Sequence, residues 1–171
     1  MSVLFLRSTI AAFLFLTLAA CGTLIAPYDD TFDQGLNKFS DDTAKLLASA
    51  SAGAAEQSYG SKETTAYYAS AYNLLDRLDA RAQLSRTSIA CPANEALKAT
   101  IPDPMTLPAG YEKYDCREVQ LYIVRSFVRQ LEADHKSGGA LSRAEAKISG
   151  GQLQRAILGA IQVFLINKPS K

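Results

Sequence analysis

Three cysteines (Cys21, Cys91 and Cys116) and one histidine (His135) are the side chains in these 171 residues best suited to covalent or acid–base chemistry. A thiolate attacks acyl or alkyl donors, and an imidazole moves a proton near neutral pH. Neither has a partner at catalytic spacing. The sequence contains no Gly-x-Ser-x-Gly elbow, His-Glu-x-x-His zinc helix, phosphate-cradling glycine loop or dinucleotide fingerprint. The cysteines are not accompanied by Cys-x-x-Cys spacing or a nearby His, so no metal site is read from them. Asp29, Asp30 and Asp33, and Asp41 with Asp42, lack the Asp/Asn ladder, glycine and terminal Glu of a calcium loop. Solvation of helix ends is the preferred reading. His135, between Asp134 and Lys136, is expected to interact with a helix C-terminus rather than act as a catalyst. No catalytic residue and no cofactor are expected.

Cys21 is set apart by what precedes it. Residues 1–20 read as a secretory signal, with Arg7 as the sole basic side chain and an apolar run from Ile10 to Ala20 broken by Thr17. That run is shorter than the ~20 residues a membrane span needs. A retained anchor or a buried helix is the rival reading. Leu18-Ala19-Ala20-Cys21 resembles the lipobox of bacterial lipoproteins, in which small residues admit the backbone to a peptidase cleft and the thiolate takes a diacylglyceryl group. An ordinary cleavage site followed by a chance Cys is the alternative. The resemblance implies lipidation of Cys21, loss of residues 1–20 and stable anchoring by several acyl chains. Gly22, where Asp would hold enteric lipoproteins at the inner membrane, resembles the outer-membrane class.

Loss of the signal would leave a chain of 151 residues with 17 basic and 17 acidic side chains. Such a neutral surface excludes a general nucleic-acid binder and leaves membrane attachment to the lipid. The pair Cys91 and Cys116, in an exported chain, is read as a disulfide, with two buried free thiols as the alternative. The bond would join the end of one helix to the start of the next and contribute about 3.5 kcal/mol by loop-closure entropy.

Four helices are predicted to hold these groups. The first runs from Asp30 to about Ala52, with Phe32, Leu36, Phe39, Thr43, Leu46 and Ala50 on one stripe and Asp29 or Asp30 as the cap. Gly53 and Gly60 bracket the turn. The second starts at Ser61 and ends near Ser88, burying Ala71, Leu74, Leu75, Leu78 and Ala82. A Pro-rich loop, residues 92–114, follows. The third begins at the capping-box pair Asp115 and Glu118, buries Leu121, Val124, Val128 and Leu131, and ends at Ser137-Gly138-Gly139. The fourth begins at Ser142 and Glu145, with a kink expected at Gly150-Gly151. Its apolar stretch Leu153–Ile166 reads as the most buried part of an all-α, antiparallel up-and-down four-helix bundle over residues 30–171, with residues 21–29 as a lipidated tether.

Tyr67, Tyr68 and Tyr72, with Tyr59 nearby, gather at the start of the second helix. They read either as an interaction patch or as the wide end of the core with hydroxyls reaching water; the second is preferred. Ala26-Pro27-Tyr28-Asp29, then Phe32-Asp33 and Leu36, then Tyr68 to Ala82, resemble a family of small bacterial lipoproteins in which a lipobox precedes an Ala-x-Tyr-Asp stretch and a helical domain. The family has no established function, supplies no catalytic residue, and does not share the Cys-flanked Pro-rich loop. The expectation is a lipid-anchored envelope protein on the periplasmic face of the outer membrane. It would be a structural or protein-interaction module, such as a pilotin-like accessory factor with an envelope protein as partner. A binding module for a small hydrophobic or glycan ligand is the alternative, and an envelope hydrolase comes third.

Overall fold

The structure, a computed structural model, describes residues 28–53, 57–86, 91 and 110–165. Residues 1–20 with the expected signal, Cys21, and residues 92–109 of the Pro-rich loop lie outside the described residues.

Four helices of 23 residues form where the apolar spacing places them: α1 (Asp30–Ala52), α2 (Lys62–Leu84), α3 (Cys116–Gly138) and α4 (Arg143–Leu165). Each is about 34 Å long at 1.5 Å per residue. The starts are chemical. Asp29 accepts the Thr31 N–H, Ser61 accepts the Thr64 N–H, and Asp115 with Glu118 closes a full capping box. Ser142 and Glu145 exchange the same pair of bonds before α4. Each satisfies backbone donors that a helix start leaves without partners. Gly53 and Gly139 close α1 and α3 at φ 70°, in the left-handed region that costs a glycine nothing. α2 ends at Leu84 with Ser85 as its cap, one turn earlier than the sequence predicts.

The helices pack as a ring, α1 beside α2, α2 beside α3, α3 beside α4 and α4 back beside α1. Every neighbouring pair is antiparallel. Phe32 at the start of α1 stacks on Phe164 near the end of α4, with ring centroids 4.2 Å apart. Gly35 of α1 faces Leu74 and Leu78 of α2. Asp76 of α2 pairs with Arg125 of α3, and Ser149 of α4 donates to Asp134 of α3. The topology is therefore the up-and-down bundle read from the sequence. One end carries the start of α1, the end of α2, the start of α3 and the end of α4. The chain enters the domain there, so this is the entry end; the opposite one is the far end.

One stripe from each helix fills the core, with Phe32, Leu36, Leu75, Leu78, Leu121, Leu131, Leu153 and Ile157 fully buried. The sequence-predicted disturbance of α4 at Gly150-Gly151 does not interrupt the helix. The helix runs continuously through Gly150 and Gly151. Gly150 serves a packing purpose instead: a Cβ there would fall 2.3 Å from a methyl of Leu47, so only a glycine lets α4 approach α1 this closely. Among the described residues no helix is long and apolar enough to cross a membrane.

Candidate functional site

The two connections at the far end meet around His135. Its ring is fully buried, although it stands in the last turn of α3. Nε2 donates to the Gln57 carbonyl, because a carbonyl can only accept. The neutral ring then presents a lone pair at Nδ1, and the Tyr68 hydroxyl donates to it across 3.1 Å. Burial pulls the imidazole below the ordinary histidine range, against an upward pull from the Gln57 carbonyl, Glu145 and Glu132. The expected service to the helix C-terminus, which needs a charged ring, gives way to that of a neutral crossbrace. Beside it the Gln57 side-chain oxygen accepts the Leu141 N–H, the Tyr59 N–H reaches the Gly139 carbonyl, and Ser58 bridges Ala140.

The tyrosines surround this brace. Tyr68 is 4% exposed, while Tyr67 and Tyr72 are half-buried against the core. Their hydroxyls do not go to water: Tyr67 pairs with Thr43 at 2.8 Å, and Tyr72 and Tyr59 both donate to the Glu132 carboxylate. Burial raises all four phenols, and Glu132 raises Tyr59 and Tyr72 further. The cluster thus packs as the wide end of the core, the preferred reading, but as an inward polar network, with Tyr59, Tyr67 and Tyr72 each partly exposed.

At the entry end Cys91 and Cys116 are placed as a disulfide, Cα atoms 4.6 Å apart, the bonded one of the two readings left open in the sequence. Charged side chains reinforce the same junction. Arg117, 7% exposed, holds Asp115 and reaches back to the Ser85 carbonyl at 2.6 Å. Arg86 grips Glu118, 1% exposed, with two N–H bonds and lies over the Tyr114 ring. The Cys91 N–H donates to the Tyr114 carbonyl. Burying these charges is tolerable because each has a directed partner. Nearby, burial raises Asp79. Burial also pushes Asp29 upward, but Arg81 and the Thr31 N–H more than offset it, so this capping carboxylate sits below its ordinary range. Asp33 takes the Tyr28 hydroxyl and the Asn37 amide, and Asp42 takes Lys38 and Lys45. Among the described residues no three His, Cys, Asp or Glu side chains converge as a metal site.

Between α1 and α2 the ring of helices is loosest. A groove of about 1740 Å³ runs along this seam. Phe39, Leu46, Tyr67, Ala71, Leu74 and Leu78 form its floor. Its rim alternates acidic Asp30, Asp42, Glu63 and Asp76 with basic Lys38, Lys45, Arg77 and Arg81. A periodic stripe marks the core-facing side of a helix, but a gap depends on how far two helices stand apart, so no pattern in the sequence predicts this groove. Glu132, Gln57, Arg86 and Arg117 are equally invisible there, because their partners lie on other elements.

Comparison with protein-family models, with curated proteins and with solved structures finds no match to this chain.

Proposed function

We propose that this chain is a lipid-anchored protein of the bacterial envelope. Cys21 is its attachment site, the periplasmic face of the outer membrane its location, and protein docking, in the manner of a pilotin-like accessory factor, its activity. The groove between α1 and α2 carries the reading. An open trough with an apolar floor and a rim of evenly mixed charge suits an amphipathic partner helix, whose apolar face covers the floor while its polar flanks meet both signs of rim charge. A small hydrophobic or glycan ligand fits less well, since such ligands are held in concave sites that bury 70–90% or more of their surface.

The location of the anchor supports the same reading. The expected lipid site lies seven positions before Tyr28, so the acyl chains would leave from the entry end, and the groove would run outward from the membrane. Two measurements test the proposal. Cys21→Ser should abolish metabolic labelling with radioactive palmitate; persistent labelling refutes the anchor. A photo-crosslinking residue placed at Ser70, on the groove, should yield a discrete protein adduct in the envelope, and one at the exposed Ile148 of α4 should not. Identical adducts from both positions, or none, refute the docking role.

A further inference from the structure

We infer that His135 is an acid-sensitive latch: as a neutral ring it fastens the α1–α2 connection to the α3–α4 turn, and on protonation it lets the far end of the bundle open. The geometry leaves the ring little choice. Nε2 must carry a hydrogen to satisfy the Gln57 carbonyl, and Nδ1 must be bare to accept from Tyr68. A proton added at Nδ1 meets the hydroxyl hydrogen of Tyr68 head on. The hydroxyl must then turn so that its oxygen accepts, which deprives its own hydrogen of the partner it had. The resulting cation would stand at 0% exposure. Swinging the ring to water relieves both costs, and it breaks the Gln57 bond.

The groups facing the ring come from every element packed around it. Tyr59 of the α1–α2 connection lies 5.6 Å from it and Tyr68 of α2 lies 5.9 Å away, both neutral phenols. Behind them stand Tyr67 and Tyr72, with Asp42 of α1 beyond Tyr67. Glu132 of α3 and Glu145 at the start of α4 are the carboxylates that favour a charged ring, and burial outweighs them. The folded state thus disfavours the proton relative to an open one. The closed arrangement therefore keeps its full advantage above the open-state value near pH 6.5 and loses it as pH falls below that value, by up to about tenfold per pH unit. The loss stops at the lower pH where the closed ring itself titrates. What opens is defined by the bonds beside the latch, Tyr59 N–H to Gly139 and Leu141 N–H to Gln57. Gln57 and Tyr67 also line the α1–α2 groove, so opening would widen that groove at its far end.

The chain has a single histidine, so its ring resonances identify themselves. Amide hydrogen exchange of the full chain, corrected for the intrinsic pH dependence of exchange, reads the latch. Protection at Tyr59 and Leu141 should fall between pH 7 and pH 5, by no more than about tenfold per pH unit, while Val124 and Ile157 in the core keep theirs. His135→Gln, which can bond but not titrate, should remove the pH dependence at those two amides. Should that variant not fold, nitrogen shifts of the wild-type ring decide: they should show the Nε2–H tautomer persisting below the ordinary histidine value near pH 6.5. Unchanged protection at Tyr59 and Leu141 while the ring titrates near 6.5, or a His135→Gln chain with the wild-type pH profile, overturns the inference.

Discussion

Gly150 and Gly151 are adjacent, both mid-helix, and should respond oppositely to the same substitution. An alanine in a helix interior is worth about 0.8–1.0 kcal/mol over glycine, since it loses less backbone entropy on folding. At Gly151 a Cβ meets nothing nearer than Arg155 at 4.0 Å, so Gly151→Ala should gain close to that amount. At Gly150 the new Cβ lies 2.3 and 2.8 Å from the two methyls of Leu47 and 3.1 Å from its Cγ. Leu47 is 8% exposed and can only move by displacing neighbours or pushing α1 away from α4. Overpacking of this kind costs about 1–3 kcal/mol, so the propensity gain leaves Gly150→Ala between neutral and about 2 kcal/mol destabilised. The two variants should differ by about 1–3 kcal/mol, read as a shift in urea midpoint at constant m-value followed by circular dichroism. Shortening Leu47 supplies the internal control. In a Leu47→Ala background the collision partner is gone, and Gly150→Ala should become stabilising like its neighbour. If Gly150→Ala stabilises the otherwise native chain as much as Gly151→Ala does, the close approach of α1 and α4 at this point is wrong.

Two further perturbations probe the entry end. Replacing both Cys91 and Cys116 by Ser should cost about 2–3.5 kcal/mol, from the loop-closure term, yet leave the far-UV spectrum helical because the Arg117–Ser85 and Arg86–Glu118 bonds still hold the two helix ends together. A fall in Tm of roughly 5–12 °C is expected, and the unmodified protein should weigh two hydrogens less than its reduced form; equal masses would remove the bond. Asp29→Ala loses an N-cap and the partner of Arg81 together and should cost about 1–2 kcal/mol, whereas Asp30→Ala, on an exposed position, should stay within about 0.5 kcal/mol. Because the Asp29 carboxyl is depressed in the folded chain, its contribution is complete above the unfolded value near pH 4 and is lost as pH falls further. A stability gap between Asp29→Ala and the unmodified chain that persists unchanged into strong acid would contradict this.

The caps and stripes were legible because they are local. Asp115 with Glu118, or Ser142 with Glu145, needs only three residues of separation to satisfy two backbone donors, and Leu121, Val124, Val128 and Leu131 need only helical periodicity to share a face. The pairing of Cys91 with Cys116 followed from chemistry and count. The site was less legible. Tyr67, Tyr68 and Tyr72 announced a cluster by spacing, but whether it faced outward or inward rested on α3 supplying Glu132 and His135 opposite them. Gly150 read as a break because glycine is a poor helix former, and it proved to be a point of contact because Leu47 arrives from α1.

The amino-acid sequence alone therefore determined the four helices, their capped starts and most of their buried faces, and narrowed the cysteines to a bonded pair or two free thiols, since each depends on residues a turn or two apart or on chemistry and count. Tertiary structure decided where polar side chains spend their hydrogen bonds, which histidine tautomer is present, and where two helices stand far enough apart to leave a groove. Those outcomes arise from side chains brought together from α1, α2, α3 and α4, and only the packed bundle sets their distances.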